Sequence, residues 1–364
     1  MVRRSGFSTS GDFLTRTPDG RDLNSIWTEF VQTLNTYNER PAAIANLFTF
    51  PTTASGDSIL QAVDSDGFER QSEFGAPKAL RATSGVLSMG FPLEWYDSAT
   101  RYTRKFLRDA PAAQVEAQHD QQMAAANKLQ WRATLNALFT RTDPSARPVN
   151  ETGAVIYGLW DGAADATPPA YAGQTFSSGH QHYLTTQSVQ VDGQDLADLI
   201  RHITEHGYGT ATSEQVVILV HPNQGAAVRG FRIGATSPFD FIPAEGAPAF
   251  LSAENVIGSR PPALFNNLPV IGSYGKALII EDYYVPNGYI AAVATSGPGS
   301  VRNPLAFRRH VNAESQGLRL IPGSDRYPLI DSVYELGFGI AVRHRGAAAV
   351  MQVTTNTTYT APVI

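Results

Sequence analysis

An α+β fold is predicted for this 364-residue chain on three observations. Between residues 111 and 139 runs PAAQVEAQHDQQMAAANKLQWRATLNALF, rich in Ala and Gln and long enough for one unbroken helix of about 40 Å. Downstream, the apolar runs EQVVILVHP, ALIIEDYYVP and YIAAVATS stand beside helical segments without the regular strand–helix alternation of a doubly wound sheet. The C-terminal SVYELGFGIAVRHRGAAAVMQVTT reads as two long strands around a turn near Arg345-Gly346.

In chain order, residues 1–22 are polar, with Gly, Ser and Pro, and read as an extended arm. DLNSIWTEFVQTLNTYNER follows with Ile26, Trp27, Phe30, Val31 and Leu34 at helical spacing and Asp22 or Asn24 available as a cap. From 51 to 96 the texture changes: FERQSEFG and GVLSMGFPLEW read as two strands separated by APKALRATS. The apolar content of this hairpin is too low for a core of its own, so it should project and rely on neighbours. RYTRKFLRDA is a short amphipathic helix. The long helix after it starts near Pro111, and Val115, His119, Met123, Ala126, Leu129, Leu135 and Leu138 trace its apolar stripe. VIYGLW reads as a strand and ADATPPAYAG as a loop. QDLADLIRHITEHGYG is a helix closed by Gly207 and Gly209, EQVVILVHP a buried strand, and NQGAAVRGF a short helix. LPVIGSYG, ALIIEDYYVP and YIAAVATS are further strands.

Composition excludes several function classes. The formal net charge is −5 and the pI about 5.9, without the basic excess of a protein that grips nucleic acid by its phosphates. Only Lys78, Lys105, Lys128 and Lys276 among the 28 basic residues are lysines. There is no cysteine, which removes disulfides, thiolate metal sites and cysteine nucleophiles. No run reaches the roughly 18 apolar residues of a membrane span, and MVRRSGFSTSGDF lacks the apolar stretch of a secretory signal. A soluble protein made in a cytoplasm, with no membrane partner, is expected.

Histidines carry the strongest hint of chemistry. His180 and His182 form an HxH pair in SSGHQHYL, His202 and His206 lie four apart in HITEH, and His221 follows a strand. Both spacings put two imidazoles on one face, as metal hydrolases use them. However, Glu205 directly precedes the second histidine, whereas the zincin pattern needs its glutamate directly after the first. The five histidines are therefore expected to be loop and helix-surface residues, with no metal site, no cofactor and no catalytic residues. GxSxG and Walker motifs are missing from the sequence, GPGSVRNP reads as a turn, and Asp161/Asp165 and Glu281/Asp282 read as loop and strand-end acids.

The order of parts is more telling than any one motif. A polar arm, a projecting hairpin, one long helix, a mixed body and terminal long strands resemble the Hong Kong 97-type phage capsid fold. PPAYAGQTFSSGHQHYL, VILVHPNQGAAVRGF, NPLAFRRHV and YPLIDSVYELGFGIAVRHRGAAAVMQV resemble segments of major capsid proteins from tailed, actinobacterial siphovirus-like bacteriophages. The resemblance covers essentially the whole chain. It implies an N-arm at 1–50, an E-loop at 51–96, a P-domain with its spine helix at 97–190, an A-domain at 191–327 and C-terminal P-domain strands at 328–364.

The implied function is structural: self-assembly into hexamers and pentamers of an icosahedral head that encloses double-stranded DNA without sequence recognition. The implied partners are other copies of the chain, a scaffolding protein or chaperone, a portal and a decoration protein. The implied location is the virion capsid, assembled in the bacterial host cytoplasm. Two alternatives stand beside it, an encapsulin-like compartment shell and a histidine-centred metal hydrolase. The hairpin side chains Phe68, Phe74, Lys78, Val86, Met89 and Phe91 are the candidates for contact with neighbouring subunits. In the best-known member of the family an E-loop lysine is joined to a P-domain asparagine with a glutamate assisting. Lys78 and Asn356 correspond in position, but no acidic side chain follows Glu335, and no cross-link is expected.

Overall fold

The computed structural model describes residues 15–39, 43–60, 70–71, 73, 75, 86–163, 167–177, 179–234, 236–247, 259–324 and 328–364. Two compact units divide the chain: Met1–Pro41, Glu94–Gln130 and Arg309–Phe338 form the first, and Ala42–Leu93, Trp131–Arg308 and Gly339–Ile364 the second. The helix Ala112–Phe139 and the strand Asp331–Val342 each contribute residues to both.

In the first unit the helix Leu23–Glu39 turns Leu23, Ile26, Phe30 and Leu34 inward, the three-to-four spacing read from the sequence. Leu23, Ile26 and Phe30 pack with Tyr102, Leu107, Val115 and Leu329 into a small core. The helix Arg104–Asp109 starts on Thr103, whose hydroxyl accepts the N–H of Phe106. The long helix is capped from a distance, because the Asp19 carboxylate accepts the Ala112 N–H at 3.1 and 3.3 Å. Residues Asp331–Phe338 pair antiparallel with Glu94–Arg101 on one side and, through Val333–Leu336, with Leu318–Ile321 on the other. Ser332, Tyr334, Leu336 and Phe338 are buried, the alternation of a strand with one covered face.

The second unit is built on a seven-stranded mixed sheet. Its order is Tyr183–Thr185, Ala348–Gln352, Tyr289–Thr295, Gln215–Val220, Ala277–Glu281, Gly272–Tyr274, Phe241–Pro243. Gln215–Val220 pairs parallel with Ala277–Glu281, and Ala348–Gln352 pairs parallel with Tyr183–Thr185. The remaining ladders in this sheet are antiparallel. Both faces of the central strands are covered, which is why QVVILV and YIAAVAT read as continuous apolar runs. Val217, Leu219, Ala291, Val293 and Val350 face one core, shared with Leu47, Phe48, Trp131, Leu135, Leu138 and Phe139. Val216, Ile218, Val220, Ile290, Ala292, Ala349 and Met351 face the other, closed by Leu196, Leu199, Ile200 and Ile203 of the helix Gly193–Thr204. That helix carries a reciprocal cap: the Asp192 side chain accepts the Asp195 N–H at 3.0 Å, and Asp195 accepts the Asp192 N–H at 2.9 Å. A separate ladder joins Thr49–Thr52 in parallel to Leu305–Arg308, which pairs antiparallel with Gly339–Val342.

Three local expectations are corrected. VIYGLW makes an isolated bridge from Val155 to Val149 and otherwise no ladder. Its backbone is satisfied elsewhere: Ile156 N–H donates to Pro148 O, Leu159 N–H to the Tyr183 hydroxyl and Trp160 N–H to Arg345 O. The C-terminal segment is two strands around a turn at Arg345-Gly346, as read from the sequence, with Ala348–Gln352 in the seven-stranded sheet and Asp331–Val342 in other ladders. GVLSMGFPLEW is two strands, Val86–Gly90 and Glu94–Arg101, broken at Phe91-Pro92-Leu93. The hairpin partner of Val86–Gly90 is Gly56–Leu60, in register from Gly56↔Gly90 to Leu60↔Val86. In FERQSEFG, the described Arg70, Gln71, Glu73 and Gly75 are outside any strand.

The arm boundary also shifts. Residues 43–50, read as arm, supply the helix Ala43–Phe48 and the start of the strand Thr49–Thr52. Leu47, Phe48 and Phe50 are buried there, because an apolar run of this kind lowers its free energy inside the core.

Candidate functional site

Of the residues expected at subunit contacts, Phe68, Phe74 and Lys78 lie outside the described residues, and Val86 sits in the strand Val86–Gly90. Met89 and Phe91 require correction. Met89 is fully buried and packs with Tyr157 and Val155. Phe91 is 1% exposed and packs with Phe50, Ala306, Ala341 and Ile156. The turn after Gly90 swings Phe91 inward: its N–H donates to Ser55 O at 2.8 Å, and its carbonyl accepts from Arg308 at 2.6 Å. Both side chains are internal core of the second unit.

Exposed apolar side chains are found elsewhere. In the first unit Trp95 and Val311 are exposed, and in the second Val189, Ile233, Leu264, Tyr283 and Val301 are. The acid pairs are structural. Glu281 is paired with Arg229 at 2.7 Å, and Asp282 accepts the Trp131 indole N–H at 2.7 Å. Asp165 lies outside the described residues.

Asp161 is the hub of a buried charge cluster that sequence reading did not find. Arg147 donates to its Oδ2 at 2.8 Å and Arg345 to its Oδ1 at 3.0 Å. Arg345 also donates to the carbonyls of Gly158 and Leu159 and lies over the rings of Tyr157 and Trp160. Burial pushes the Asp161 carboxyl up, but the guanidiniums and the Ala163 N–H outweigh it and leave it below the ordinary value. The available signal was a charged residue inside each of two apolar runs, VIYGLWD and AVRHRGAAAV.

The histidines depart furthest from expectation. His182 is fully buried and His206 8% exposed, so the reading of loop and surface residues is corrected for both. His182 enters the strand Tyr183–Thr185 with its N–H donating to Trp160 O at 2.8 Å and its carbonyl accepting from Val350 at 2.8 Å. Its Nδ1 lies 2.6 Å from Ala348 O, so Nδ1 carries the proton and Nε2 the lone pair. His206 sits in the turn after the helix Gly193–Thr204, just before Gly207 at φ +80°. Its Nε2 is 2.9 Å from His182 Nε2 and 3.0 Å from His180 Nε2. The ligand atoms of His180, His182 and His206 all lie within 4.8 Å of one another.

Neighbouring groups hold these rings in place. Phe176 stacks on His206 at 3.7 Å, and His202 stacks on His180 at 4.7 Å. His202 is tied to its own helix, Nδ1 to Asp198 O at 2.8 Å. Burial, reinforced by the neighbouring imidazoles, lowers His180 and holds His182 well below the usual histidine value. Burial lowers His202, and with His180 and His202 beside it lowers His206 to about 3, so the cluster is neutral near pH 7. His221 stands apart and caps the helix Pro222–Val228 by accepting the Asn223 N–H. Glu205 approaches His180 on the Nδ1 side, at 3.7 Å, away from the point where the Nε2 atoms converge.

No protein-family model and no curated protein matches the chain. Among solved structures, one from Mycobacterium phage Patience is 37% identical, covers 99% of this chain and 96% of its own, and superposes with a TM-score of 0.71. The chain belongs to the phage major capsid proteins. It has their Hong Kong 97-type fold, and its place is the virion shell, formed by self-assembly. The bacteriophage PhiM1 mature capsid is 11% identical over 85% of this chain and 86% of its own, with a TM-score of 0.48. The SrpI encapsulin complex of Synechococcus elongatus PCC 7942 is 16% identical over 89% and 91%, with a TM-score of 0.46. Likeness at that level does not bear on function.

Proposed function

We propose that this capsid protein is a purely structural subunit, forming the hexamers and pentamers of an icosahedral head around double-stranded DNA. The observation that carries the reading is the 37% identity sustained over 99% of the chain to a protein of a mycobacterial phage. Side chains such as Ile233, Leu264 and Tyr283, exposed in one copy, suit surfaces covered by other copies. A net charge of −5 suits a wall that encloses DNA without gripping it. Scaffolding protein or chaperone, portal and decoration protein remain the proposed partners, and the host cytoplasm the proposed place of assembly. The domain limits are also part of the proposal. The E-loop is best placed between strands Gly56–Leu60 and Val86–Gly90, whose ladder is closed within the chain.

The test replaces residues 61–85 with a short Gly/Ser linker, which spares both strands and the buried Met89 and Phe91. The variant should fold cooperatively and fail to form closed particles under electron microscopy, while the full chain forms them. Normal closed shells from the variant would refute the E-loop assignment. A monomeric full chain at every concentration, salt and scaffold condition would refute the shell reading. Native shells filled with an enzyme in place of DNA would favour a compartment.

A further inference from the structure

We propose that His180, His182 and His206 form a structural site for a divalent first-row transition-metal ion of the zinc class. His182 Nδ1 faces the Ala348 carbonyl, so its Nε2 presents a bare lone pair to the cluster. His206 Nε2 lies at hydrogen-bond distance from that lone pair and from His180 Nε2. As an N–H it has one proton for two neighbours; as a lone pair it meets the lone pair of His182 with no proton between them. Its other nitrogen, Nδ1, is buried without a hydrogen-bond partner among the described residues. No assignment of neutral tautomers satisfies the three rings, and such a deficit is costly in a buried place. A cation at the point where the Nε2 atoms converge takes all three lone pairs at once and leaves only the His206 Nδ1–H without a partner among the described residues.

Zinc binds imidazole nitrogen at about 2.0–2.1 Å, which sets ligand nitrogens about 3.3 Å apart in a tetrahedron. Two of the three Nε2 separations are 2.9 and 3.0 Å and the three ligand nitrogens lie within 4.8 Å of one another, so closure on one ion takes rotation of the rings. His182 is fixed by the Ala348 carbonyl and by backbone bonds on both sides. The Glu205 carboxylate on the Nδ1 side of His180 biases the proton to that nitrogen and leaves Nε2 free. Phe176 covers His206, and Gly346 allows the chain to pass close beside it, since a Cβ there would meet the His206 ring at 2.6–2.9 Å. Imidazole donors in this number select a borderline ion over calcium or magnesium. The ion would tie the lead-in to the strand Tyr183–Thr185 to the end of the helix Gly193–Thr204, both in the second unit.

The experiment uses the full chain, equilibrated with zinc, dialysed, and analysed by mass spectrometry for metal per subunit. About one zinc per chain should be retained, and a chelator should lower the unfolding temperature. His180 is the most accessible of the three, so His180→Ala should fold, bind zinc more weakly by at least the roughly 100-fold upper range for loss of an outer-shell partner, and lose the chelator effect. His221→Asn, which preserves a helix cap away from the cluster, should behave as the parent chain. The cobalt-loaded parent should show the visible absorption of a low-coordinate nitrogen site, and His180→Ala should not. Background metal in the zinc-equilibrated parent chain overturns the proposal. So does undiminished zinc affinity in His180→Ala.

Discussion

Phe91 separates two readings of the hairpin with one substitution. As a contact between subunits, Phe91→Ala would leave the folded chain intact and damage only assembly. The structure places it in the core, 1% exposed, with its ring edge-on to Phe50 at 6.5 Å and 80°. Burying such a side chain contributes about 1.5–3 kcal/mol, and an edge-to-face aromatic pair adds about 0.5–1.5 kcal/mol. If about 50 Å³ stays unfilled after truncation, the cavity adds about 1 kcal/mol. The backbone bonds to Ser55 O and from Arg308 survive the change, so they add nothing. Phe91→Ala should therefore lower the stability of the unassembled subunit by about 3–5 kcal/mol. Urea unfolding followed by circular dichroism measures this, with exposed Tyr283→Ala as a control expected within about 0.5 kcal/mol of the parent. An unchanged unfolding midpoint together with lost assembly would show that the side chain belongs to an interface and that the core argument is wrong.

Asp161→Ala should cost about 3–5 kcal/mol, because Arg147 and Arg345, each 4% exposed in the side chain, lose their shared carboxylate. Replacing all three with apolar residues of similar volume should recover most of that loss, and thermal unfolding compares the two. His119 should make the first unit acid-sensitive. Burial lowers its folded-state value below 6.5 against a small opposing effect of Asp120; it stacks on Phe30, bonds Tyr334 through Nδ1, and its Nε2 is buried without a hydrogen-bond partner among the described residues. The unfolded chain then binds the proton first, so stability is full above about pH 6.5 and falls below it, by up to about 1.4 kcal/mol per pH unit. His119→Phe should flatten this slope in urea titrations at successive pH values, and an equal slope in both proteins would contradict the assignment. Boiled, denatured particles should run as a single band near 39.3 kDa, and a ladder would reveal cross-links.

The sequence by itself determined the elements whose side chains repeat with the period of their own backbone. The helices Leu23–Glu39, Ala112–Phe139 and Gly193–Thr204 are of this kind, each burying a stripe regardless of its partner, so local periodicity was enough. The strands Gln215–Val220 and Tyr289–Thr295, covered on both faces, were legible as short continuous apolar runs. The resemblance of whole segments to phage capsid proteins was legible for a related reason, since those strings carry the buried faces of a shared fold. Tertiary structure decided everything that depended on where a backbone group finds its partner. VIYGLW has strand composition, yet the Tyr183 hydroxyl and Arg345 carbonyl take its amides. Phe91 looks like a continuation of a strand, yet the break at Pro92 turns it inward. The histidines show the limit most clearly. Spacing grouped His202 with His206 and His180 with His182, but the fold joined His180, His182 and His206 and tied His202 back to Asp198. The helix Gly193–Thr204 ends before His206, so the four-residue spacing crosses into a turn, and only the packed turn fixes which way that imidazole points.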